Sequence, residues 1–231
     1  MVFCFQNKML NFIIMILYYI MKLLVTVMSC HKNWHLWDDI KNKIKKDLII
    51  FSYSPKKENW YDEKERILYL NCRDTYECLP EKVICMIEQI LGKKYFNDIT
   101  HILKIDDYDA SKLTENKIKN LYKYSEIKNG NYIGQNIVEW SGSRTHTYHY
   151  GKVSINSEWH NKPYNGVFVP WLNGGKSYIL SRKAMQCINK EYNSKNLDLL
   201  YKNEIYEDLM ISKLLYRYEI YPTEILYNIV D

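Results

Sequence analysis

No dense block of lysine and arginine occurs in this chain, no Cys-x-x-Cys pair, no internal repeat and no low-complexity linker. The first absence matters because the net charge is +5. The lysines are interleaved with Asp and Glu, so nucleic-acid binding is not expected, and a mild positive balance suits a small anionic ligand instead. The six cysteines, Cys4, Cys30, Cys72, Cys78, Cys85 and Cys187, show neither metal-site nor paired spacing. They read as buried free thiols. His146, His149 and His160 are spaced too loosely for a zinc signature and read as loop or core residues.

A run long enough to cross a bilayer is also missing. Met9 to Ile20 is apolar apart from Asn11 and follows Lys8, but it is short for a span and leads without a stem into the next apolar segment. Two readings stand for residues 1–20. As a short signal-anchor they imply membrane association. As an upstream extension of a protein that begins at Met21, they imply a cytoplasmic chain.

What remains suits one globular domain over 21–231: 47% of residues are apolar and 26% charged. Leu23 to Met28 is a continuous apolar run, as expected of a strand buried on both faces. Trp34 through Ile44 has helical spacing, Leu48 to Tyr53 and Arg66 to Leu70 read as strands, and Ser54 to Glu65 as a charged loop. Leu79-Pro80 opens a helix to about Leu91, and Ile99 to Ile105 is the fourth strand. Strands alternating with helices predict an α/β fold with a mostly parallel, Rossmann-like sheet. Beyond Asp109, glycines punctuate short aromatic and β-branched runs, which predicts a mixed second half with helices near Arg182 to Tyr192 and Glu207 to Tyr216. The division falls at about 21–110 and 111–231.

Asp106-Asp107-Tyr108-Asp109 follows the fourth strand directly. Carboxylates at the carboxyl tip of a strand offer hard oxygen ligands to a divalent cation, at the edge where open α/β sheets bind ligands. The alternative is a solvated acidic loop. Ser29-Cys30-His31-Lys32 follows the first strand, where His31 or Lys32 is placed to meet a nucleotide or phosphate, the alternative being an exposed polar loop. Glu207 and Asp208 open a helix, where the dipole favours negative charge whether or not they also act chemically. Lys104 is expected to pair with the acidic cluster, and Lys82 to face solvent. Trp171, Tyr178 and the Gly174-Gly175 turn are candidates for a platform on which a sugar could stack, with a buried core position as the alternative for each aromatic.

The order of segments resembles the β1,3-galactosyltransferase and fringe group of glycosyltransferases. Leu23-Leu24-Val25-Thr26-Val27-Met28-Ser29 resembles its opening strand. Asp74-Thr75-Tyr76-Glu77-Cys78-Leu79-Pro80-Glu81-Lys82 resembles its D-S/T-Y-x-N-L-T-x-K segment without the Asn and Thr. His101-Ile102-Leu103-Lys104-Ile105-Asp106-Asp107 resembles its lysine and triple-aspartate strand, with Tyr108 in place of the third Asp. Gly175-Lys176-Ser177-Tyr178-Ile179-Leu180-Ser181 resembles G-x-G-Y-V-L-S with Ser177 for the second Gly, and Glu207-Asp208-Leu209 resembles E-D-V. The late His that fringe-like enzymes add as a metal ligand has no counterpart after His160.

The resemblance implies a GT-A fold and an inverting transfer of a hexose or N-acetylhexosamine from a UDP-sugar to a glycan or glycoprotein hydroxyl. Asp208 would be the general base. Mn²⁺, or Mg²⁺, would be held by Asp109 and Asp107. Ser29, His31, Asp74, Tyr76 and Asp106 would border the nucleotide, and Trp171, Gly174, Gly175, Tyr178 and Glu207 the acceptor. The competing expectation is a catalytically degenerate relative that binds nucleotide or glycan without turnover. A third, weaker one is an interaction protein whose acidic loop binds calcium.

Overall fold

Burial follows the apolar runs closely. In the computed structural model, which describes residues 21–139 and 146–229, every residue of β1 (Leu23–Met28) is buried. The strand lies between β2 (Leu48–Tyr53) and β5 (His101–Asp106), parallel to both. Its side chains alternate between two cores. Leu24 and Met28 join Phe51, Leu70 and Ile84 on one face, and Leu23, Val25 and Val27 join Ile40, Ile50 and Ile105 on the other. Each such apolar side chain contributes about 1.5–3 kcal/mol by leaving water, which holds β1 at the centre.

The sheet has eight strands in the order β10-β6-β9-β5-β1-β2-β4-β3. β4 (Ile67–Leu70) continues the parallel run beyond β2. β3 (Trp60–Asp62) pairs antiparallel at that edge, inside the segment expected to be a loop; Trp60 stacks on Tyr69 at 4.3 Å. On the other side β9 (Tyr178–Ser181) runs antiparallel to both β5 and β6 (Tyr132–Gly134), and β10 (Thr223–Glu224) is parallel to β6. Only β3 and β9 therefore oppose the common direction. A separate two-stranded ribbon joins β7 (Ile137–Val138) to β8 (Trp171–Leu172). The expected α/β fold with a mostly parallel, Rossmann-like sheet is observed.

Helices cover both faces. α1 (Trp37–Lys43) is shorter than its periodicity suggested, because His31–Leu36 forms a 3₁₀ turn first. α2 (Leu79–Gly92) has Pro in its first turn, where the missing N–H costs nothing. α3 (Asp107–Ala110) begins as soon as β5 ends, followed by α4 (Glu115–Leu121) and α5 (Ser125–Asn129). α6 (Arg182–Glu191), whose Ser181 Oγ caps Ala184 N at 3.1 Å, packs with α2, as does α7 (Leu197–Asn203), and α8 (Glu207–Tyr216) packs with both α2 and α6. Cys72, Cys78, Cys85 and Cys187 are buried free thiols, as expected, and Cys30 is half-buried and also free. The proposed anchor, residues 1–20, lies outside the described residues. Among the described residues no helix is long and apolar enough to cross a membrane.

A third core, rich in aromatics, lies under the loop 146–169. Trp159, Tyr164, Trp171, Tyr206 and Leu209 form it together with Val153. His149 staples this loop. Its Nε2 lies 3.1 Å from Trp159 O and 3.0 Å from Lys162 O, and its Nδ1 lies 2.9 Å from Tyr206 Oη. Carbonyls only accept, so Nε2 carries the proton and Nδ1 accepts from the tyrosine. Burial pulls the imidazole pKa below its usual value, consistent with that neutral form.

Candidate functional site

The chain passes from β1 to β2 and β4 on one side and returns to β5 on the other, so β1 and β5 flank the topological switch point. Their carboxyl ends are in register, Met28 opposite Asp106. A crevice outside such a point is where open α/β sheets bind ligands. Here it is a cleft of three adjoining lobes, about 170, 280 and 430 Å³. Tyr76 and Leu79 wall all three. That is the size range of small-molecule sites, roughly 300–1,000 Å³.

The inner lobe is lined by Lys104, Asp106, Gly174, Gly175, Glu207 and Asp208, among others. Lys104 sits on β5 with 1% exposure, and its ammonium lies 2.7 Å from Asp106 Oδ1 and 3.3 Å from Glu207 Oε2. Burial, the largest influence, pulls its pKa down, but Asp106 and Glu207 more than offset it and hold it above the usual lysine value. Burial raises the Glu207 carboxyl, against the pull of Lys104. Tyr178, fully buried, donates its hydroxyl to Glu207 Oε1, and burial with that neighbouring charge keeps the phenol protonated. The expected pairing of Lys104 with the acidic cluster is present and extends to Glu207.

Asp208 follows Glu207 in the first turn of α8 and is 2% exposed. Its Oδ2 accepts from Gly174 N at 3.0 Å and its Oδ1 from Leu209 N at 2.9 Å. Position 174 needs glycine for space. A Cβ there would fall 2.9 Å from Asp208 Cβ and 3.0 Å from Glu207 Oε2.

The acidic cluster divides. Asp106 ends β5, is 37% exposed at its side chain and faces both the inner and the middle lobe. Asp107 lines the middle lobe, but its carboxylate is already satisfied. Oδ2 accepts from Ser29 Oγ at 2.7 Å and Asn33 Nδ2 at 2.9 Å, and Oδ1 from Tyr108 N at 2.8 Å. Trp37 Nε1 donates to the same Ser29 Oγ at 2.7 Å. Asp109 is not among the cleft-lining residues and pairs with Lys112 at 2.9 Å. Because a helix starts at Asp107, the literal Asp-x-Asp spacing does not direct both carboxylates into the cleft. Among the described residues no group of three or more His, Cys, Asp or Glu is arranged to share a metal ion. Of the cluster, Asp106 is the carboxylate that reaches both the inner and the middle lobe, with one oxygen paired to Lys104.

Several expectations need correction. Trp171 (1% exposed) belongs to the aromatic core, and Tyr178 (0%) to the Glu207 network, so neither has a free face on which an acceptor sugar could stack. Gly174 and Gly175 do reach the inner lobe. Lys82 does not face solvent: it is 1% exposed, donates to Ser29 O at 2.9 Å and pairs with Asp74. Its helix also carries Glu81, Glu88 and Gln89, so spacing along it does not separate a buried lysine from an exposed one. Asp74 lines the outer lobe, and its other oxygen accepts from His31 N at 2.9 Å. His31 is placed by that backbone bond, while its neighbours Cys30 and Lys32 line the outer lobe. Tyr148, Lys152 and Tyr206 also line the cleft. They lie in or beside loops, where spacing carries no periodic signal.

No protein-family model and no curated protein matches this sequence. Among solved structures the chain is similar to a cytidylyltransferase from Leptospira borgpetersenii serovar Hardjo-bovis (strain JB197), at 8% identity and a TM-score of 0.42 over 90% of this chain and 78% of that one. It is also similar to CMP:2-keto-3-deoxy-manno-octonic acid synthetase complexed with CTP, at 9% identity and a TM-score of 0.42 over 88% of this chain and 90% of that one. Likeness at this level carries no argument about activity.

Proposed function

We propose that the switch-point cleft binds a sugar nucleotide and that the protein transfers the sugar, with inversion, to an acceptor hydroxyl. The observation that carries the reading is the placement of Asp106 and Asp208 in one lobe, next to a larger lobe with room for a nucleoside. In this reading Asp208 accepts the proton of the acceptor hydroxyl as that oxygen bonds to the anomeric carbon and the bond to the diphosphate breaks. Gly174 N fixes one carboxylate oxygen, which holds the base in a single orientation. Glu207, held by Lys104 and Tyr178, borders the acceptor. Ser29, Asp74 and Tyr76 shape the nucleoside side. Asp106 replaces the expected Asp107 and Asp109 as the carboxylate nearest a bound Mn²⁺ or Mg²⁺. Such an ion supplies charge compensation for the departing diphosphate.

A second reading is a nucleotide- or glycan-binding protein without turnover. It is favoured by Asp107 and Asp109, whose oxygens are committed to protein donors. Titration with UDP, with and without Mn²⁺, followed by donor hydrolysis and transfer assays, separates the two. Metal-dependent binding with turnover supports the transferase, binding without turnover supports the second reading, and absence of UDP binding removes the transferase and leaves only glycan binding, which titration with glycans then tests.

A further inference from the structure

The cleft is walled by four lysines, and three are accounted for by position or pairing. Lys82 is spent on Asp74 and the Ser29 carbonyl, and Lys104 on Asp106 and Glu207. Lys32 reaches only the outer lobe. Lys152 lines both the inner and the outer lobe, and among the described residues no carboxylate lies within ion-pair distance of it. Its ammonium stands 3.2 Å from the centroid of the Tyr148 ring and 5.7 Å from that of Tyr76. An ammonium held on aromatic faces keeps its charge and its donors, and can exchange that contact for a stronger one with an anion.

The backbone that carries it is fixed at both sides. Lys152 N donates to His149 O at 3.0 Å, Val153 is buried in the aromatic core, and Ser154 N donates to Glu77 Oε2 at 3.3 Å. A fixed backbone with an exposed, unpaired ammonium suits a side chain that swings onto a ligand while its loop stays in place. Its position at the junction of the lobes is where a linker between nucleoside and sugar would run.

We infer that Lys152 is the cation of the cleft that recognises the diphosphate of a nucleoside diphosphate ligand, with Tyr148 and Tyr76 holding it ready. The inference rests on the sugar-nucleotide reading above and adds a phosphate-selecting residue to it.

The test is calorimetric titration of the full chain and of Lys152→Ala and Lys152→Arg with UDP and with uridine, in chelator and then in Mn²⁺. Wild type should prefer UDP to uridine. Lys152→Ala should weaken UDP by about tenfold in Mn²⁺, leave uridine unchanged and reduce the salt dependence of UDP binding. Lys152→Arg should restore most of the loss. Equal UDP affinity in wild type and Lys152→Ala overturns the inference and leaves the nucleotide site standing. Parallel loss of UDP and uridine binding overturns it too, since that marks a structural role. A wild type that binds neither ligand overturns the nucleotide reading itself.

Discussion

Lys104 on β5 and Glu207 at the start of α8 are 103 residues apart in sequence, yet their charged ends meet at 3.3 Å, both side chains almost wholly buried. The pair ties the central sheet to the helix that bears Asp208, and Asp106 opens one side of it to the cleft. Lys104→Met should therefore cost about 3–5 kcal/mol, because it leaves a buried Glu207 without its counter-charge. Adding Glu207→Gln should recover part of that loss. Chemical denaturation of the two variants checks both, and a double variant as unstable as the single one would mean that packing, not charge, is at stake.

Asp208→Asn keeps the shape of the side chain and an oxygen for Gly174 N while removing the base. Binding of UDP should stay within a factor of about two, and sugar transfer should fall by roughly 10²–10⁴. Transfer at wild-type rate would end the assignment of Asp208 as base.

His149 ties the loop 146–169 to Tyr206 as a neutral imidazole, and burial holds its pKa below the usual value. In the unfolded chain an imidazole takes up its proton near about pH 6.5, whereas the folded site resists. The unfolded state therefore binds more protons as pH falls through that range, and the stability due to His149, present above about pH 6.5, is lost as pH drops through the folded value. Melting curves from pH 8 to 5 should show a decline that is shallower in His149→Gln. Equal slopes in the two proteins would mean that the carboxylates account for all of it.

Ser177 has φ +149°, is completely buried, and its hydroxyl has no hydrogen-bond partner. Glycine adopts that backbone conformation without strain, and it removes the unsatisfied hydroxyl as well. Ser177→Gly should stabilise the protein by about 1 kcal/mol, or roughly 2–4 °C in Tm, despite the greater freedom of the unfolded chain. A lower Tm in differential scanning calorimetry would show that the lost packing outweighs the relief.

The same position shows how far the sequence could be read. The resembling family has glycine where Ser177 stands, so the departure was visible as a letter, but its meaning came only with the φ angle. The parallel strands at Leu23–Met28 and Leu48–Tyr53 were legible because a strand buried on both faces has to be apolar throughout. The helix at Glu207–Tyr216 was legible as well. The short strand Trp60–Asp62 was hidden in a charged stretch, because an edge strand needs no apolar run.

By itself the sequence determined an α/β chain with a central parallel sheet, free buried cysteines and carboxylates at a strand tip. These depend on local periodicity and on the cost of burying polar groups, both of which act along the chain. Tertiary structure alone decided what each carboxylate meets. Asp106 and Asp107 both reach the cleft, but the turn from strand to helix sends one toward Lys104 and the inner lobe and the other onto Ser29 and Asn33, while Asp109 falls outside the lining. The burial of Trp171 and Tyr178, the inward turn of Lys82 and the arrival of Lys152 at the cleft were decided in the same way. Each depends on partners tens of residues away, and no spacing rule along a single segment reaches that far.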